Sequence, residues 1–189
     1  RAYAGVPEDA LMLVVFGGSL GARHINTALC QQARELLKRP NLYVRHITGP
    51  KEYDTVCEQL DIPEELKDRW TVVGYEDRMG DVLAACDCVV SRSGATSLAE
   101  ISALGIPALL VPFPYATADH QTTNAREYVD AGAAYMIADD QVESPEFADL
   151  LAKLVDDASV REGMHAAAAA FQTNEAASKL ADVVIGATR

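Results

Sequence analysis

The 189-residue sequence predicts a doubly wound α/β domain, a Rossmann-like parallel sheet of about six strands with helices on both faces. Three observations predict it. Short apolar runs alternate with helix-period segments almost without interruption, the pattern that β-α crossovers leave in a sequence. Apolar residues make up 49% of the chain, enough for a core on each side of a sheet. Small-residue loops follow the first and fourth apolar runs, at the strand ends where such sheets hold their ligands.

Residues 11–16 are apolar throughout, as a strand covered on both faces must be. The glycine loop 17–21 ends that strand, and a helix over 22–38 follows, stopped ahead of Pro40. A second strand spans 42–47 with a helix over 53–60, and a short third strand spans 70–73 with a helix over 79–85. The fourth strand, 87–91, leads into a helix over 97–104 that Gly105 closes. A fifth strand at 108–111 gives way to the loop 112–119 and a helix over 120–131. A sixth strand at 134–137 precedes purely helical patterns, including the alanine-rich run 166–170. No internal repeat, low-complexity tract or interdomain linker interrupts the chain, so one domain is expected across 1–189.

The net charge of −12 argues against nucleic acid as a partner and against contact of this segment with an anionic membrane surface. No apolar run reaches spanning length, and no signal peptide is visible. Position 1 is Arg, so the sequence reads as part of a longer protein. Cys30, Cys57, Cys86 and Cys88 have no C-x-x-C spacing and are expected to be buried, reduced thiols. His24, His46, His120 and His165 are scattered and no D-x-D pair is present, so neither a metal nor a cofactor is expected. Asp139-Asp140 and Asp156-Asp157 read as loop or helix-end charges.

The segment Ser93-Gly94-Ala95-Thr96-Ser97-Leu98-Ala99-Glu100 carries the most chemistry. A helix start presents unpaired N–H groups and partial positive charge to a phosphate, while the Glu100 carboxylate suits two neighbouring ribose hydroxyls. Ser97-x-x-Glu100 is equally a capping box, which needs no ligand. Gly17-Gly18-Ser19-Leu20-Gly21-Ala22 is neither a dinucleotide fingerprint nor a P-loop, and reads as a close-approach loop or as a tight turn. In the segment 113–124, at a helix start, Asp119 suits a helix cap, while His120 and Gln121 are expected to face the cleft, with Asn124 one turn on. Arg23 and Arg92 are candidate helpers for a diphosphate; Arg92 suits a structural carboxylate pair as well. One helix terminus contributes only about 0.3–1 kcal/mol to an anion. Micromolar binding needs roughly 8 kcal/mol, so several of these loops must converge on one cleft.

Taken together, residues 17–23, 93–100 and 119–125 resemble the carboxyl-terminal half of the MurG family. Those bacterial enzymes move N-acetylglucosamine from UDP-N-acetylglucosamine to lipid I, forming lipid II for peptidoglycan. The resemblance implies one half of a GT-B glycosyltransferase, with the donor held mainly by this half. It implies that Glu100 binds the ribose, that Ser93, Gly94, Ala95, Thr96 and Ser97 meet phosphates and sugar, and that Gly18 and Ser19 reach the diphosphate. His120, Gln121 and Asn124 are implied at the N-acetylglucosamine. Tyr75, Glu76 and Met79 are implied at the uracil, although Glu76 and Arg78 depart from the family pattern. The family's amino-terminal half, with its base candidate, acceptor site and membrane-facing patch, lies outside this sequence. Catalytic residues, lipid I contact and peripheral attachment to the cytoplasmic face of the membrane are therefore implied for that half, toward which the helices of 145–189 are expected to pack. Two rival readings predict different behaviour. A UDP-N-acetylglucosamine 2-epimerase alters the donor with no acceptor present, whereas a non-catalytic UDP-sugar-binding subunit binds UDP whatever sugar it carries.

Overall fold

The computed structural model describes residues 1–18 and 22–171. Its strands are β1 (Leu11–Phe16), β2 (Leu42–Ile47), β3 (Trp70–Val73), β4 (Cys88–Ser91), β5 (Ala108–Leu110) and β6 (Ala134–Met136). They form a six-stranded parallel sheet in the order β3-β2-β1-β4-β5-β6, so the winding reverses between β1 and β4. The helices are α1 (Arg23–Leu36), α2 (Tyr53–Gln59), α3 (Met79–Ala85), α4 (Ala95–Leu104), α5 (His120–Asp130), α6 (Pro145–Asp156) and α7 (Ala158–Phe171).

The period of two along each strand divides the core. Leu13 and Val15 face one side with Ile25, Leu29, Phe147, Leu151 and Leu154, from α1 and α6. Met12, Val14 and Phe16 face the other with Val82, Leu83, Leu98, Ile101, Ala125 and Tyr128, from α3, α4 and α5. The register is flush: Val73, Ile47, Phe16, Ser91, Leu110 and Met136 are successive partners across the sheet. Every loop that follows a strand therefore leaves the sheet along one edge.

Most expected elements form with ends moved by one or two residues. Asp87 lies just before β4 instead of inside it, because its carboxylate accepts the Met12 N–H at 2.6 Å and pairs with Arg1 at 2.9 Å. The helix expected from 97 begins at Ala95, with Gly94 at its N-cap. Three 3-10 segments, Glu64–Arg69, Thr117–Asp119 and Asp139–Gln141, were not expected, since one or two turns leave too short a pattern to read. Among the cysteines, Cys30 and Cys88 are buried, whereas Cys57 is exposed against expectation, because only Val56 of α2 is buried. Residues 172–189, part of the tract expected to pack toward a second domain, lie outside the described residues. The apolar face of α6 is buried on this domain's own sheet.

Candidate functional site

The reversal between β1 and β4 leaves a gap between diverging crossovers, and a cleft of about 380 Å³ occupies that region. Phe16 ends β1 and Gly18 follows it, while Ile47 ends β2 and Gly49 and Pro50 follow it. Gly74, Tyr75 and Glu76 come from the connection after β3 and Met79 from the start of α3; Thr96, Ser97 and Glu100 come from α4. Seven of the expected residues thus share one cleft: Gly18, Tyr75, Glu76, Met79, Thr96, Ser97 and Glu100. Phe16, Ile47, Gly49, Pro50 and Gly74 line it as well and were missed. They are apolar or backbone wall residues with no signature of their own, although strand-end position marks them once strand order is known. Ser19 lies outside the described residues.

The start of α4 removes the capping-box reading. With Gly94 in extended conformation at the N-cap, Ser97 is the third helical residue and Glu100 the sixth. A capping box needs the Ser at the N-cap itself, so Glu100 cannot close one. The first helical bond runs from Leu98 N–H to Gly94 O at 2.9 Å. The N–H groups of Ala95, Thr96 and Ser97 consequently have no carbonyl a turn behind them. Glu100 is exposed, and its carboxylate makes no hydrogen bond or ion pair with any described residue.

Beside this cleft a second cluster joins the Ser93 loop to α5. Ser93 is fully buried and its hydroxyl donates to Gln121 O at 2.8 Å, so in this structure it ties two loops together. Asn124 Nδ2 donates to Ser93 O at 3.2 Å. Gln121 Oε1 accepts the Phe113 N–H at 3.0 Å, which fixes the amide and engages one lone pair of that oxygen. His120 Nδ1 lies 2.8 Å from Thr117 O; a carbonyl only accepts, so Nδ1 carries the proton and a neutral ring offers Nε2 as acceptor. A Cβ built on Gly94 comes within 3.9 Å of Gln121 Nε2, which sets the two clusters side by side.

Several expectations are corrected here. Asp119 occupies the N-cap of α5 without capping it: the residue is left-handed, at φ 52°, and its Oδ1 accepts from the Thr122 hydroxyl. Arg92 is buried, donates to Val111 O and Pro112 O, and pairs with Asp139 at 2.6 Å, so it is structural. Asp139 opens a 3-10 turn, the helix-end position expected of it, and is buried between Arg92 and His24. Arg23 pairs with Glu52 at 3.1 Å. The Glu76 carboxylate, expected at the base, accepts instead from Tyr3, Arg45 and the Arg78 N–H. Burial alone raises its pKa, but those three donors outweigh it and hold the group below the usual carboxylate value.

A six-stranded parallel sheet of this order, with loops gathered at the strand ends, is the architecture of a GT-B glycosyltransferase's carboxyl-terminal domain. The glycosyltransferase family 28 C-terminal domain matches residues 12–181, and the chain belongs to that family. It is 47% identical over 135 residues to the undecaprenol N-acetylglucosamine transferase of Leuconostoc mesenteroides, covering 71% of this chain and 36% of the relative. The enzyme of the same name from Leuconostoc citreum is 38% identical over 184 residues, 97% of this chain and 50% of the relative. The crystal structure of Acinetobacter baumannii MurG superposes with a TM-score of 0.78 at 26% identity, covering 95% of this chain and 53% of that one. The chain thus spans half or less of the length of these two curated relatives.

Proposed function

We propose that this chain is the donor-binding half of an N-acetylglucosaminyltransferase that carries the sugar from UDP-N-acetylglucosamine to lipid I. The observation that carries the reading is Glu100. It is an unpaired carboxylate in a cleft, one turn beyond three free N–H groups, and no capping role accounts for it. The N–H groups of Ala95, Thr96 and Ser97 would take the diphosphate, aided by the helix dipole. Glu100 would accept from both ribose hydroxyls, and the base would lie along Tyr75, Gly74 and Met79. His120 Nε2 and the Gln121 amide hydrogens would accept from and donate to hydroxyls of the N-acetylglucosamine. The general base, the lipid I site and attachment at the inner membrane face would belong to the other half of the enzyme.

Calorimetric titration with UDP-N-acetylglucosamine tests this. Glu100→Ala should weaken binding by about 1.5–3 kcal/mol, the range for charge-assisted hydrogen bonds. An affinity equal to wild type would remove Glu100 from the site and the reading with it.

A further inference from the structure

We propose that Tyr3, Arg45 and Glu76 form a clamp that sets the base end of the cleft, which makes Tyr3 a positioning residue for nucleobase recognition. The inference rests on the donor-binding reading above. Gly74, Tyr75 and Glu76 form one wall of the cleft, on a surface connection between β3 and α3. Such a connection holds one shape only when something ties it down. Here the Glu76 carboxylate does so. Its side chain is 2% exposed, and three donors from three parts of the chain converge on it. The Tyr3 hydroxyl donates to Oε1 at 2.9 Å, the Arg78 N–H to Oε1 at 3.0 Å, and Arg45 Nε to Oε2 at 2.6 Å.

The ring of Tyr3 also lies 4.2 Å from the Arg78 guanidinium and 5.5 Å from that of Arg45. Arg78 pairs in turn with Asp81 in the first turn of α3, the helix that brings Met79 to the cleft. The segment before β1, the strand β2 and the wall loop are therefore fixed to one another through one carboxylate. Glu76 and Arg45 are the buried members and Tyr3 is half-exposed; a carboxylate held this deep keeps its geometry only while its donors are present. Tyr75 stands between Gly74 and Glu76, so the face it offers a base follows from where Glu76 is held. The phosphate end lies on α4, which contributes no donor to the Glu76 carboxylate.

Titrations of UDP, CDP and inorganic pyrophosphate against this chain, Tyr3→Phe and Glu76→Gln distinguish the possibilities. Tyr3→Phe keeps the ring against both guanidinium groups and removes only the hydroxyl. It should weaken UDP about five- to tenfold, narrow the preference for UDP over CDP, and leave pyrophosphate affinity unchanged. Glu76→Gln should act in the same direction. Folded variants with wild-type UDP affinity and base preference overturn the clamp, and an equal loss for all three ligands overturns it as well, by marking a merely structural role. A wild-type chain that binds no UDP overturns the donor-binding reading first, an outcome separate from either.

Discussion

His46 shows how one buried residue sets a pH dependence. Asn26 Nδ2 donates to Thr48 O at 3.0 Å, which fixes the amide and presents Oδ1 to His46 Nε2 at 2.9 Å. Nε2 therefore carries the proton, and Nδ1 is left buried without a partner among the described residues. Burial lowers the pKa from 6.5 to about 4. Between those values the unfolded chain binds the proton and the folded chain does not, so stability is full above pH 6.5 and falls as the pH drops toward 4. The gap corresponds to on the order of 3 kcal/mol. Urea titrations at pH 7 and pH 5 should show this loss beginning, and His46→Gln should flatten it; an equal slope in the variant rules out the imidazole as its source. None of this was legible in the sequence, where His46 is a polar residue in an apolar strand and its partner Asn26 lies on a different element.

At the scale of elements, α4 is the part whose two ends matter most. Gly105 closes it at φ +64°, with Ile106 N–H bonded to Ile101 O and Gly105 N–H to Ser102 O, a Schellman closure. The same glycine receives α7: its carbonyl lies 2.7 Å from His165 Nδ1, and a Cβ there would stand 2.9 Å from that atom. Gly105→Ala should cost about 1–2 kcal/mol from the left-handed backbone alone, and more from displacing His165. Thermal unfolding of Gly105→Ala with and without His165→Ala separates the two, since the double variant should recover only the steric part. A Gly105→Ala chain as stable as wild type would contradict both. The closing glycine could be read directly, because only glycine takes that conformation cheaply. The helix start could not, because Ser97-x-x-Glu100 satisfies a capping pattern that the backbone does not use.

For the whole molecule, half-length coverage of its relatives has a functional consequence. If the chain is a donor-binding half, it should bind UDP-N-acetylglucosamine and transfer nothing to a lipid I analogue on its own. The donor would be gripped by loops at this sheet's strand ends, while the acceptor and the general base would come from across the cleft between two domains. A radiolabelled-sugar transfer assay checks this, and product formed by the isolated chain would refute it. Among the described residues no helix is long and apolar enough to cross a membrane.

The alternation of apolar runs and helical periods was enough to determine the number of strands and their near boundaries, while the motifs at 17–23, 93–100 and 119–125 carried the family resemblance. Those signals are local, written every two or 3.6 residues along the chain. Local signals also singled out Thr96, Ser97 and Glu100. Only the folded sheet decided which loops meet. Strand order placed Ile47, Gly49 and Gly74 opposite Glu100, turned Arg92 and Asp139 into a buried pair, and drew the Glu76 carboxylate to Tyr3 and Arg45. Such pairings join residues tens of positions apart, and they arise from burying charges that must then find one another.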